Sequence, residues 1–292
     1  MALKNTTIKN KIIVVYGPTS SGKSDYAVKL ALKIGMGKAE VVSADSRQIY
    51  KELNLLSGKI TTAEMHGVPH HMLSVVSVAN EYSASDYAND ASKIILDILS
   101  MGKTPIICGG TGFYIQALIN KLNNNTLPEV PPNPQLRDKL NKLSIDDLFE
   151  ILKKKDKVRA KNIDAKNKVR LIRALEIIEA LGKVPTLPKQ KNKLSNNYEF
   201  EYVGLDLDDK VLKDKIEKRL IERINDGMLD EAKKVYKLIG SEKMKVLGLE
   251  CKYTALFIDG EITQDELKSQ LATKIWQYAK RQRTWFKVKI KN

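Results

Sequence analysis

Apolar positions along the first part of the chain alternate between two rhythms. A continuous run at residues 12–16, I-I-V-V-Y, reads as a buried strand, and Ala27, Leu30, Ala31 and Ile34 follow at the spacing of an amphipathic helix. A second short apolar strand covers 40–44 and stops at Asp45. The next helix opens at Ser83 or Ser85, runs through Tyr87, Ile94, Ile95 and Leu99, and ends at Gly102, with a polar cap before it and a glycine after it. A third strand, 104–108, runs into Gly109, Gly110, Thr111 and Gly112 and then another helix. This alternation predicts a parallel sheet with helices on both faces, an architecture whose ligands sit at the carboxyl ends of the strands. Residues 17–24, Asp45 and 109–112 all lie at such ends and are expected to converge.

The rhythm breaks at Lys121. An Asn- and Pro-rich linker, 123–134, leads into a stretch that is helical in pattern as far as Leu181. Its clearest helix, 170–178, puts Leu171, Ala174, Leu175 and Ile178 on one face. A polar linker at 185–197 returns the chain to an apolar strand at 202–207. Helices are expected at 208–225, 229–239 and 263–283, with a mixed stretch before the last of them. We therefore read 1–121 and 199–292 as one core domain and 122–198 as an all-helical insertion.

Residues 17–24 read G-P-T-S-S-G-K-S directly after the first strand, the full pattern of an eight-residue phosphate-binding loop. Such a loop turns a strand sharply into a helix and aims backbone N–H groups inward at an anion. Gly17 and Gly22 permit the turn, and Pro18, Thr19, Ser20 and Ser21 form the cradle. Lys23 brings a charge over the outer phosphate, Ser24 offers a hydroxyl to Mg²⁺, and the helix that begins there adds the positive end of its dipole. The fold class that follows is α/β, a P-loop NTPase-like parallel sheet flanked by helices with a helical insertion.

Composition sharpens the choice of partner. The 292 residues carry 50 basic and 35 acidic side chains, a formal charge of +15, which favours a polyanion. Only nine of the basic residues are Arg, so charge alone is a weak signal for nucleic acid. Its distribution says more, because 137–193 and 274–291 are both dense in Lys and Arg and would suit a long, curved anion. Apolar runs of five or six residues are too short to cross a membrane, and the first strand starts too early for a cleavable leader, so a cytoplasmic protein is expected. Cys108 and Cys251 stand far apart with no C-x-x-C partner, which suggests neither a zinc site nor a disulfide framework.

Beside the phosphate loop, residues 43–50 read S-A-D-S-R-Q-I-Y. Asp45 there could hold Mg²⁺ through water, as in a hydrolase, act as a general base on an incoming nucleophile, as in a transferase, or simply cap the next helix. His66, His70 and His71 look like a metal cluster by spacing, but they read better as structural residues of a loop. Trp276 and Trp285 could stack on bases, but at helix spacing they read better as packing anchors.

Taken together, G-P-T-S-S-G-K-S, S-A-D-S-R-Q-I-Y-K, G-V-P-H-H at 67–71, Tyr82-Ser83, G-G-T-G-F-Y at 109–114 and R-L-I-R-A-L-E at 170–176 resemble the tRNA dimethylallyltransferase family in order and spacing. The resemblance extends from Tyr16 to Trp285. It implies transfer of a dimethylallyl group from dimethylallyl diphosphate to N6 of the adenine at position 37 of tRNA, just 3′ of the anticodon, with release of diphosphate and with Mg²⁺ as cofactor. Asp45 would then accept the N6 proton, and Thr19 would hydrogen-bond the departing bridging oxygen. Gly17 to Ser24 would hold the diphosphate, Ser24 would hold the metal, and Arg219 matches a family arginine that reaches the diphosphate from the opposite side; otherwise it is a solvated helix charge. The same resemblance carries tRNA contacts onto Asp45, Ser46, Arg47, Gln48, Thr111 and Arg137. It carries them also onto Val169, Arg170, Leu171, Ile172 and Arg173, a backbone clamp or else a solvated helix face. The insertion would grip the anticodon stem, and a monomer is expected.

Two segments depart from the family's pattern. Residues 55–61, L-L-S-G-K-I-T, replace a G-T-A-K-P-like stretch, and 247–250, L-G-L-E, lack the Tyr and basic residue of a G-Y-[KR]-E-like motif, so neither is given a role. The end, A-K-R-Q-R-T-W-F at 279–286, matches the family's closing helix, and the absence of a following zinc finger resembles the bacterial form. Three rivals are kept. A P-loop small-molecule kinase or NTPase would share residues 17–24 but want a purine-binding motif and an arginine lid. An adenylate isopentenyltransferase would not need a basic helical insertion. A noncatalytic RNA-binding protein would have no use for Thr19, Lys23 and Asp45 together. The sequence is silent on which tRNAs would be modified.

Overall fold

A computed structural model describes residues 10–186 and 198–289. Most of the linker expected at 185–197 and the last residues of the basic tail lie outside them. Five strands form one wholly parallel sheet: β1 (Asn10–Tyr16), β2 (Ala39–Ser43), β3 (His70–His71), β4 (Thr104–Gly109) and β5 (Tyr198–Gly204), in the order β3-β2-β4-β1-β5. The parallel sheet read from the alternating rhythm is present, with the two-residue β3 as an addition too short to leave a pattern.

Alternation within the central strands explains their unbroken apolar runs. On β1, Ile12 and Val14 face one core and Ile13 and Val15 the other, so both sides must be apolar. The first core packs the sheet against α2 (Ala84–Ser100), α3 (Gly112–Leu122), α8 (Asp209–Asn225), α9 (Met228–Leu247), α10 (Leu249–Ile258) and α11 (Gln264–Lys289). The second packs it against α1 (Lys23–Ile34) through Ala27, Val28 and Ala31. Helix α2 starts at Ser83, whose side chain and that of Asp86 form a reciprocal capping box.

Two expectations shift. The last strand lies at Tyr198–Gly204 rather than 202–207, because it is an edge strand. Its exposed and half-buried positions carry an aromatic row, Tyr198, Phe200 and Tyr202, with successive ring centroids 6.4 Å apart. No continuous apolar run was needed there, so hydrophobicity misplaced it. The mixed stretch before the last helix is helical apart from breaks at Gly240 within α9 and at Gly248 between α9 and α10.

By its internal contacts the chain divides into two compact units, Met1–Asn123 with Leu194–Asn292, and Asn124–Lys193. The second unit consists of α4 (Pro134–Asn141), α5 (Ile145–Lys155), α6 (Lys157–Lys161) and α7 (Lys168–Leu181) around Leu148, Leu152, Leu171 and Ile178. Each of its four helices begins at an Asn, Ser or Asp whose side chain accepts a first-turn N–H. Among the described residues no helix is long and apolar enough to cross a membrane.

Candidate active site

The phosphate loop is built where β1 runs out and α1 begins. Gly17 lies so close to the backbone carbonyl of Leu205 that no Cβ fits, and Gly22 caps α1 from the left-handed region at φ 87°. Ser20 shares that conformation at φ 61° without glycine's freedom, a strain that persists only where its surroundings hold it. No side chain caps α1, so the amides of its first turn face the cradle without a side-chain partner. The Ser21 hydroxyl, also in the loop, is buried with no hydrogen-bond partner among the described residues.

Lys23 keeps part of its surface open to the cavity while its ammonium is enclosed, donating to the Pro18 carbonyl at 2.5 Å. Burial brings its pKa down to about 8; Arg219 pushes the same way, and Cys108 and Asp45 oppose. The neighbouring Cys108 thiol is pushed up to about 12 by burial, which keeps it protonated and inert.

Asp45 follows β2 and opens a tight turn. Its Oδ1 accepts from the backbone N–H of Arg47 at 2.8 Å and of Gln48 at 3.4 Å, while Oδ2 makes no protein hydrogen bond among the described residues. The carboxylate thus caps the turn with one oxygen and borders the cavity with the other. Thr111, at the end of β4, accepts from the N–H of Ser46 at 3.1 Å and meets its hydroxyl at 3.3 Å. The loops after β2 and β4 are thereby joined.

These groups surround a cavity of about 430 Å³. Thr19, Ser20, Lys23, Ser24, Asp45, Ser46, Arg47, Gln48 and Arg219 all line it. Gly17, Pro18, Ser21 and Gly22 shape the loop from behind, and Thr111 acts through Ser46. Arg219 donates to the Gly58 carbonyl at 2.8 Å, and burial with repulsion from Arg223 lowers its pKa, so it is a half-buried cation and not a solvated helix charge.

Both departing segments border the same cavity. Ser57 and Ile60 line one side, and Lys245, Val246, Gly248, Leu249 and Glu250 another. The 54–58 loop is held by local bonds, among them Ser57 Oγ to the Leu53 carbonyl at 2.6 Å and Gln48 Nε2 to the Gly58 carbonyl at 3.2 Å, and by side chains from distant helices. Glu231 accepts from the N–H groups of Asn54, Leu55 and Leu56 at 2.8–3.0 Å. Arg223 donates to the carbonyls of Leu55 at 2.5 Å and Leu56 at 2.7 Å and pairs with Glu250 at 3.3 Å. Tyr278, Arg281 and Gln282 from α11 also line the cavity, and no sequence motif had singled them out individually.

The histidines are not a metal site: among the described residues no cluster of three or more His, Cys, Asp and Glu could hold an ion. His71 binds the buried Glu40 at 2.7 Å, which Lys103 also reaches at 2.6 Å, and this ties β2 to β3 and to the approach of β4. His70 bonds the Val68 carbonyl through Nδ1 at 2.8 Å.

Within the helical unit, the residues carried over as tRNA contacts separate into two kinds. Val169 and Arg170 are exposed, at 77% and, for the Arg170 side chain, 64%. Leu171 and Ile172 are buried in that unit's core, so their side chains have nothing to offer a ligand. Arg137 grips the buried Glu176 with two bonds of 2.7 and 3.0 Å, and Arg173 adds a third of 3.2 Å and another to the Val130 carbonyl. Arg170 and Arg173, three residues apart on α7, are therefore not equivalent.

A family profile described as IPP transferase matches residues 48–289. The tRNA dimethylallyltransferase 2 of Treponema denticola is 37% identical over 97% of this chain and 94% of its own. Among solved structures, the tRNA isopentenylpyrophosphate transferase of Bacillus halodurans superposes with a TM-score of 0.69 at 32% identity, over 96% of this chain and 87% of that one. A eukaryotic dimethylallyltransferase captured acting on tRNA gives 0.81 at 27% identity, over 95% and 70%. With its parallel sheet, its phosphate loop and relatives matched along nearly its whole length, the chain belongs to the IPP transferase family.

Proposed function

We propose that this protein transfers the dimethylallyl group of dimethylallyl diphosphate to N6 of the adenine at position 37 of tRNA, releasing diphosphate. The observation that carries this reading is the convergence on one cavity of a phosphate loop, an arginine from α8 and a carboxylate one of whose oxygens makes no protein hydrogen bond among the described residues. In the reaction the bond from the allylic carbon to the bridging oxygen breaks as the bond from N6 to that carbon forms. The main demand is stabilisation of the charge that accumulates on the leaving diphosphate.

Lys23, Arg219 and the first-turn amides of α1 meet that demand from two sides, and the Thr19 hydroxyl donates to the bridging oxygen. Asp45 accepts the proton that N6 loses. Because N6 of adenine is a poor nucleophile, holding it in line matters as much as the strength of the base. Mg²⁺ fits a donor set of this kind, a serine hydroxyl beside a carboxylate and the oxygens of a bound diphosphate, and Ser24 would hold it. When bound, it would neutralise charge on the diphosphate.

The target base must leave its stack to enter a cavity, which costs least in a single-stranded loop. Asp45, Ser46, Arg47, Gln48 and Thr111 are read as the groups that meet the anticodon loop. The exposed Val169 and Arg170 on α7 are read as contacts to the stem, with Arg137 and Arg173 holding that helix in place. The presence of a separate basic helical unit favours tRNA over a free nucleotide, and the protein is read as a cytoplasmic monomer.

Incubation with radiolabelled dimethylallyl diphosphate, Mg²⁺ and either unmodified tRNA or AMP tests this directly. Label is expected in tRNA alone. Label in AMP would move the protein to the nucleotide-prenylating relatives, and label in neither would return attention to a kinase and to ATP turnover.

A further inference from the structure

Gln282 lies on α11 with 7% of its surface exposed, and its carboxamide spans two of the strand-end loops. Its Oε1 accepts the backbone N–H of Thr19 at 2.8 Å, and its Nε2 donates to the Gly110 carbonyl at 2.8 Å. An amide N–H only donates and a carbonyl only accepts, so the two partners fix which way the carboxamide points. A Cβ on Gly110 would stand 2.5 Å from Nε2, so a side chain there would displace the carboxamide.

The helix that presents Gln282 is itself held at several points on the sheet. Arg283, the next residue, bonds Asp206, Asp209 and the Leu207 carbonyl just beyond β5. The Phe286 ring lies 4.9 Å from that of Tyr16, the last residue of β1. One turn before Gln282, Tyr278 lines the same cavity. Three of the loops that follow strands are thus indexed to one helix, and the only side-chain bond in this set that reaches the phosphate loop comes from Gln282.

We propose that Gln282 is a positioning residue for the transfer reaction, fixing the Thr19 backbone so that its hydroxyl meets the bridging oxygen of the diphosphate. The inference rests on the function proposed above. Thr19 N–H faces α11 rather than the anion, so the loop is braced from outside at the residue whose side chain must be placed most accurately. A displacement of about 1 Å at such a group costs on the order of 100-fold in rate.

The test is a double-mutant cycle with Gln282→Leu, which keeps the volume and removes both bonds, and Thr19→Val, which keeps the shape and removes the hydroxyl. Gln282→Leu is expected to lower kcat about 10- to 100-fold with KM for tRNA unchanged. In the Thr19→Val background it should have little further effect, because both changes remove the same contact. Losses that multiply independently, an unchanged kcat, or a rise confined to KM for tRNA would overturn the proposal. Affinity for Mg²⁺ with inorganic diphosphate is measured alongside, as a readout that does not need turnover. If the wild-type protein binds diphosphate but transfers nothing to tRNA, the proposed function fails; a tenfold weaker diphosphate affinity in Gln282→Leu, absent in the Thr19→Val background, would still support the brace, and equal affinities would refute it. Gln282→Met is the second variant, and loss of folding in both would overturn the proposal by assigning Gln282 to the core.

Discussion

Asp45 caps its turn through Oδ1, and the proposed function assigns proton acceptance to its other oxygen. Asp45→Asn retains an oxygen to cap the turn at Arg47 and Gln48 but cannot take a proton. Turnover is expected to fall by about 10²- to 10⁴-fold, the usual contribution of a general base, with tRNA affinity changed little. Turnover near wild type in single-turnover assays would place proton acceptance elsewhere. The arginines of α7 make a second contrast. Arg170→Ala should weaken tRNA binding and reduce the slope of log affinity against log salt by about 1, as loss of one phosphate contact does. Arg173→Ala should instead loosen the helical unit, because it strips a bond from the buried Glu176. Filter binding across a salt series, paired with thermal unfolding, separates the two; equal salt slopes for both variants would contradict the distinction. Spacing on a helix gave both arginines the same direction and could not reveal that one of them had a buried partner.

At the scale of elements, Glu176 joins α4 to α7. Its side chain is 1% exposed and accepts bonds from Arg137, from Arg173 and from the N–H of Asn133. Burial pushes its carboxyl up, but Arg137, the Asn133 amide and Arg173 together hold it below its ordinary value of 4.5. Its stabilisation is therefore complete above pH 4.5 and is lost as the pH falls through the lowered value. Glu176→Gln should cost the unit about 3 kcal/mol at neutral pH and remove that part of the acid sensitivity. Hydrogen exchange in α4 and α7 at pH 7 and at acid pH measures both, and unchanged protection at pH 7 would refute the assignment. The elements themselves were legible to very different degrees. The central strands announced themselves because both faces are buried, whereas β5, half exposed at the edge, was placed four residues late. Local motifs located the loops after β1, β2 and β4. The side chains that brace those loops could not be found the same way, since Gln282 and Thr19 are 263 residues apart and Arg223 and Leu55 are 168 apart.

For the whole molecule, the cavity joins residues from both ends of the chain, and this explains why the helical insertion can interrupt the sequence without interrupting the site. Thr19, Asp45 and Gly110 precede the insertion, while Arg219, Glu250 and Gln282 follow it. The formal charge of +15 supports binding to a polyanion but does not identify the base that is modified. Transfer to a single adenine is tested most sharply with two tRNAs that differ only there. The purified protein is incubated with dimethylallyl diphosphate and Mg²⁺ and either an unmodified tRNA with adenine at position 37 or the same tRNA with guanine at that position, followed by digestion and nucleoside mass spectrometry. N6-isopentenyladenosine is expected from the first tRNA and none from the second; equal yields from both, or no prenylated nucleoside from either, would rule out transfer to that adenine.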